Sequence, residues 1–135
     1  MPTLRTYKVF ISHSWGYSEE YYRMENLLAS VPNFRWENLS VPMHDPVSNQ
    51  DTEYELRNQM RDAHVFLILG GMYVAHSEWI EFEIEFARRI GRPIIGVQPW
   101  GSQCIPRIIQ RAAMEIVGWN SISVVNAIRR YALTD

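Results

Sequence analysis

Five short apolar runs alternate with amphipathic stretches along the whole chain, and few folds accommodate that rhythm. The runs are Tyr7 to Ser12 (YKVFIS), Phe34 to Glu37, His64 to Leu69 (HVFLIL), Pro93 to Gln98 (PIIGVQ) and Met114 to Val117. Each is of strand length, and the longer ones are apolar almost throughout rather than alternating. That pattern belongs to strands buried on both faces, hence to a parallel sheet covered by helices. The stretches between them carry helix signals. Ser18 is placed to cap a helix running to about Ser30, with Glu19 and Glu20 in its first turn. Thr52-Glu53-Tyr54-Glu55 forms a capping box that opens a helix to about Arg61. Ser77 is placed to cap a third helix, which Gly91-Arg92-Pro93 stops in the usual order of glycine then proline. A short helix over Ile105 to Ala112 and a last one from Ser121 to about Leu133 follow.

This is β-α repeated five times in 135 residues, one domain's worth, and we assign residues 1–135 to a single domain. Right-handed crossovers leave few topologies. The expected fold is α/β, a flavodoxin-like three-layer sandwich with a five-stranded parallel sheet of order 2-1-3-4-5. In such sheets ligands bind beyond the carboxyl ends of the strands, at the switch point between strands 1 and 3. Ser12-His13-Ser14-Trp15-Gly16 leaves the first strand there, and Gly70 to Trp79 leaves the third. The segment Asn38 to Asp51, with two prolines, two asparagines and two aspartates, reads as a long loop bordering them. Loops of that length inside a compact domain are often functional.

One residue disobeys its surroundings. At about 100° per residue, Trp79, Ile80, Phe82, Ile84, Phe86, Ala87 and Ile90 share one arc of the third helix, and Glu81, Glu85, Arg88 and Arg89 share the other. Glu83 falls within the apolar arc, one turn beyond Trp79. Such a helix turns its apolar face to the core, and an unpaired buried charge costs several kcal/mol or neutralises itself. The residue either serves a function or finds an arginine on another helix, or it sits at the rim of the arc.

Other chemistry is poorly represented. No GxGxxG follows the first strand and no GxxxxGK[ST] occurs, which argues against a nicotinamide dehydrogenase and a P-loop phosphotransferase. His13, His44, His64 and His76 show no metal-ligand spacing among themselves or with Cys104, so no metal site is expected. Ser12, His13 and Ser14 are neighbours on a strand end and point to alternate faces, a poor start for a hydrolytic triad. Cys104 is the single cysteine and has nothing nearby in sequence to activate it; one unpaired thiol fits a reducing cytoplasm. A net charge of −2 makes no case for nucleic acid or an anionic membrane, and no apolar run approaches a membrane span or a signal peptide. What remains for a lone buried carboxylate is work at a sugar: stabilising positive charge, or holding ribose hydroxyls as a glycosidic bond breaks. Trp15 and Trp79 could stack on a base or nicotinamide ring, although a tryptophan at Trp79 is more often core. Asn38 and Asp45 are more often turn residues than ligands.

The residues also carry a resemblance. Lys8-Val9-Phe10-Ile11-Ser12-His13-Ser14 resembles the opening strand and first loop of TIR domains. Ser77-Glu78-Trp79-Ile80-Glu81-Phe82-Glu83-Ile84 resembles their serine, tryptophan and glutamate pattern, with the Trp79-to-Glu83 spacing of the NAD-cleaving members. Arg92-Pro93-Ile94-Ile95-Gly96-Val97 is similar to their fourth strand. Trp36-Glu37-Asn38-Leu39-Ser40-Val41-Pro42, Pro99-Trp100-Gly101 and Ile116-Val117-Gly118-Trp119-Asn120 resemble, more narrowly, the TIR-like proteins of bacterial Thoeris anti-phage defence.

The resemblance covers nearly the whole chain and implies a TIR-like fold and cleavage of NAD, as substrate rather than cofactor, at the nicotinamide–ribose bond. It implies a cyclic ADP-ribose isomer as product and a separate effector protein reached through that diffusible nucleotide, and it is compatible with self-association. By match of position it makes Glu83 the catalytic glutamate. Phe10, Ser12, His13, Ser14, Trp15, Asn38, Asp45, Ser77 and Trp79 would then shape the NAD site. No effector, adaptor or membrane segment lies within these residues, so action through a product or a partner is expected. Many TIR domains only bind other proteins, and a non-catalytic interaction module is the alternative. A nucleoside deoxyribosyltransferase-like enzyme, with a carboxylate on a related fold, is the third reading.

Overall fold

The computed structural model describes residues 5–11, 19–39, 60–69, 73–98 and 107–132, with the backbone alone for 19–21 and 73–79. Strands β1 (Thr6–Ile11), β2 (Arg35–Asn38), β3 (Val65–Leu69), β4 (Ile94–Val97) and β5 (Glu115–Val117) alternate with helices α1 (Glu19–Ala29), α2 (Tyr73–Arg89), α3 (Arg107–Ala112) and α4 (Ser121–Tyr131). Met60 and Arg61 are also helical, at the end of the stretch expected from the capping box, whose own residues lie outside the described ones. Every neighbouring strand pair is parallel, and the order is β2-β1-β3-β4-β5, as the apolar rhythm implies.

The register assigns side chains to faces. Registered partners in a parallel sheet share a face, and faces alternate along each strand. Phe10 is registered with Phe66, Phe66 with Ile94, Ile68 with Gly96, and Gly96 with Ile116. These six residues therefore line one side. A Cβ built on Gly96 would meet Ile109 of α3 and Ala113 just after it, so α3 lies on that side. Helix α2 packs against both α3 and β3 and belongs to the same layer. The opposite layer holds α1 and α4, which pack on each other, with α4 also against β4 and β5.

Gly96 is where the sheet and α3 come closest. An added Cβ would lie 2.5 Å from Ile116 Cδ1 and 3.0 Å from Ile109 Cγ2. Both atoms end side chains, so a single methyl can be absorbed by rotamer shifts, whereas a branched residue cannot. We expect Gly96→Val to lower the urea midpoint by roughly 1–3 kcal/mol of stability, and Gly96→Ala to cost less. Equal midpoints for Gly96→Val and the parent would show that α3 moves aside freely.

Gly91 ends α2 with φ of +73°, the left-handed region that glycine enters without strain. Its N–H donates to the Arg88 carbonyl at 3.2 Å and that of Arg92 to the Ala87 carbonyl at 2.8 Å, the two bonds of a Schellman stop. Arg92 then reaches across the amino-terminal ends of the strands. Its guanidinium donates to the carbonyls of Ala63 (2.9 Å), Ile90 (3.1 Å) and Arg61 (2.8 Å), tying the end of α2 to the segment that leads into β3. A lysine cannot serve three separated acceptors. Arg92→Lys should cost about 1–3 kcal/mol, read as a lower melting temperature; an unchanged one would mean that water replaces the guanidinium without loss.

Several boundaries shift by a residue or more, and two of the shifts fall on candidate site residues. Helix α2 starts at Tyr73, so Ser77 is an interior residue and not its cap. Tyr73-Val74-Ala75-His76 contains no glycine or proline to forbid a helix, and serine is tolerated inside one. Strand β2 is shifted one residue toward the carboxyl end, so Asn38 belongs to the sheet and not to the loop after it. It is registered with Val9. Helix α4 begins at Ser121 as expected, with the Asn120 side chain accepting from the Ser123 N–H at 2.8 Å. Among the described residues no helix is long and apolar enough to cross a membrane.

Candidate active site

The burial of α2 follows its helical phase. Ile80, Ile84, Phe86 and Ala87 are buried, while Glu81, Glu85, Arg88 and Arg89 are exposed. Glu85 and Arg89 pair with each other at 3.0 Å, one turn apart on the solvent side. Glu83 goes with the apolar residues and is 2 % exposed. With His64, it is one of two buried polar or charged residues among those described.

The two differ in how they are satisfied. His64 Nδ1 accepts the Lys8 N–H at 2.9 Å, and the His64 N–H donates to the Lys8 carbonyl at 2.8 Å. That histidine is a staple between β1 and the start of β3. Both Glu83 carboxyl oxygens are buried and neither has a hydrogen-bond partner. No described arginine on α2 or α3 neutralises it: Arg88 and Arg89 are exposed, as are Arg107 and Arg111 on α3. Burial pushes the Glu83 carboxyl well above the usual carboxylate range, because nothing offsets the loss of water around the charged form.

Beneath α2 the sheet presents an aromatic floor. Phe10 and Phe66 lie with ring centroids 5.2 Å apart on the face that α2 covers, so Phe10 and Glu83 share one side of the sheet. Glu83 is about 15 Å along the helix axis from Tyr73 at 1.5 Å per residue. Trp79 precedes it by one turn, toward the carboxyl ends of the strands, with Ile80 beside it; Ala87, one turn further on, is fully buried. Among the described residues the carboxyl has apolar neighbours on its own helix and on the sheet, and none donates a hydrogen bond to it.

Asn38 stands apart from this arrangement. Its Nδ2 donates to Glu25 Oε2 of α1 at 2.8 Å, and its register with Val9 turns it to the α1 and α4 side. Glu25 was not singled out from the sequence, and no local signal could have done so, since thirteen residues separate the pair. Ser77 and Trp79 are placed on α2 by backbone alone. Ser12, His13, Ser14 and Trp15, directly after β1, and Asp45 lie outside the described residues, as does Cys104. Among the described residues no group of three histidine, cysteine or acidic side chains is placed to hold a metal ion.

Comparison with known proteins adds two findings. The family model described as Thoeris protein ThsB, TIR-like domain, matches residues 10–104. The solved structure of the Clostridium botulinum CMP N-glycosidase BcmB is similar over 92% of this chain and 99% of its own, with a TM-score of 0.58 and 18% sequence identity. At that identity the likeness is one of fold. No curated protein matches the chain.

Proposed function

The chain belongs to the Thoeris ThsB TIR-like domain family, and from that premise we propose that it cleaves NAD at the nicotinamide–ribose bond and releases a cyclic ADP-ribose-type nucleotide that acts on a separate effector protein. The observation that carries the reading is the unpartnered carboxyl of Glu83, buried on the face of the sheet that includes Phe10.

In this reading the nicotinamide end of NAD enters from the carboxyl ends of β1 and β3, and its ribose hydroxyls donate to the Glu83 oxygens. The C1′–N bond breaks with its electron pair leaving on nicotinamide, which departs neutral. Positive charge spreads over C1′ and the ring oxygen, and the Glu83 carboxylate stabilises it. An atom of the adenosine end then closes on C1′ to give the cyclic product, or water does so to give ADP-ribose. Excluding water favours closure. Phe10 and the residues Ser12, His13, Ser14, Trp15, Asp45, Ser77 and Trp79 would shape the site, with Trp15 and Trp79 to stack on the rings; Asn38, held by Glu25 on the opposite face of the sheet, takes no part. The test is incubation of the purified protein with NAD, alone and with lysate of infected cells, followed by mass spectrometry of the nucleotides. Wild type releases nicotinamide in at least one condition and Glu83→Gln does not. Silence of wild type in both sinks the enzyme; equal release by the variant sinks the site.

One observation favours a second reading. BcmB, the CMP N-glycosidase of similar fold, acts on a pyrimidine nucleotide. Breaking the C1′–N bond of such a substrate needs a proton on the departing base, which a neutral Glu83 could donate. CMP and deoxycytidine belong in the same assay: release of cytosine, or base exchange, with NAD untouched would establish this alternative.

A further inference from the structure

We propose that Glu83 rests as a neutral carboxylic acid and loses its proton when sugar hydroxyls enter, so that each ligand bound at this site releases one proton to solvent. The inference rests on the NAD reading for its ligand, but its starting point is geometric. Both carboxyl oxygens are buried and neither meets a donor. A carboxylate held that way is strongly disfavoured, and protonation removes most of the penalty.

Among the described residues no nearby charge offers a substitute. On α2 itself Glu81, Glu85, Arg88 and Arg89 are exposed, and on α3 so are Arg107 and Arg111. Strand β3 brings only apolar side chains. Lys8 and His64 share the sheet face with Phe10 and Phe66 by alternation, at the amino-terminal ends of the strands, and neither is a hydrogen-bond partner of Glu83. A ribose diol changes the balance. It brings O–H donors to the two oxygens, and hydrogen bonds to a charged acceptor are roughly twice as strong as neutral ones. The exchange is complete as written: the carboxyl O–H bond breaks, the proton passes to solvent, the sugar hydroxyls donate to the resulting carboxylate, and nothing is oxidised or reduced. Below the midpoint of the resting acid, affinity then tightens about tenfold for each unit of rising pH.

Two measurements test this on the intact protein. The first is the carboxyl carbon resonance of Glu83 in ligand-free, ¹³C-labelled protein, assigned by its loss in Glu83→Gln. We expect the position of a neutral acid at neutral pH; a carboxylate position there overturns the proposal. The second is calorimetric titration with the carbocyclic NAD analogue, which carries CH₂ in place of the ribose ring oxygen and is not cleaved. Run in two buffers of different ionisation enthalpy, it counts protons. One proton released per analogue bound is expected, and binding without release overturns the coupling. An analogue that fails to bind overturns the coupling to an NAD ribose, and with a neutral-acid resonance in hand it locates the error in the substrate and not in the resting acid.

Discussion

Replacing Glu83 by glutamine is expected to abolish nicotinamide release and, in the same protein, to remove a pH-dependent weakness of the fold. Glutamine keeps the shape of the side chain but carries no negative charge, so positive charge developing on the ribose loses its counterpart. Loss of one electrostatic partner of this kind costs about 10²–10³ in rate. The stability effect follows from burial. The unfolded glutamate titrates near 4.3, and burial raises the folded value well above the usual range. Between those two values the native state binds a proton that the unfolded state does not. Stability is therefore greatest below the unfolded value and falls as pH rises toward the folded one, by about 1.4 kcal/mol per pH unit. Glutamine has no proton to take up. Urea midpoints of wild type and Glu83→Gln should differ least in acid and diverge as pH rises through that window, with the variant the more stable. Parallel profiles from acid to neutral pH would mean that Glu83 is ionised and solvated in the folded chain.

The second large effect is the sign of the pH dependence of catalysis, which separates the two substrates. Nicotinamide leaves NAD as a neutral molecule because the ring is already cationic, so it needs no acid. The working form of Glu83 is then the carboxylate. We expect kcat/KM for NAD to rise about tenfold per pH unit below the free enzyme's raised midpoint and to level above it. Cytosine must be protonated as it departs, so cleavage of CMP would need the acid form, staying level below that midpoint and falling about tenfold per pH unit above it. One titratable group thus gives slopes of opposite sign for the two chemistries. A rate for NAD that falls with pH would rule out the carboxylate as the stabilising group, whatever its effect when mutated.

Family membership bears on both results without deciding them. It places the chain among Thoeris TIR-like domains, while the solved neighbour shares the fold at low identity. A fold of this kind hosts different activities, and the site decides among them. The carboxyl at Glu83 is common to both readings, which is why the discriminating experiment is one on its protonation.

The strand order was legible because it depends on local pattern. Runs such as His64 to Leu69 are apolar at every step but the first, and β3 is buried along its whole length. The position of Glu83 among buried neighbours was legible for the same reason, since a helix repeats its phase wherever it packs. Short-range signals failed where they competed. Ser77 offered a cap, yet the four residues before it were equally able to be helical, and α2 includes them.

What the sequence determined alone, then, is what neighbouring residues settle among themselves: a parallel five-stranded sheet, the glycine stop at Gly91, and an acid on the buried side of α2. Tertiary structure decided what that acid meets. Whether a buried carboxyl finds an arginine depends on side chains brought close by folding, tens of residues away along the chain. Asn38 found Glu25 thirteen residues back, and Arg92 found the carbonyls of Arg61 and Ala63 about thirty residues back. Glu83 found no donor. That difference is invisible to periodicity, because pairing is a property of space and not of spacing, and it turns a residue out of phase into a candidate for chemistry.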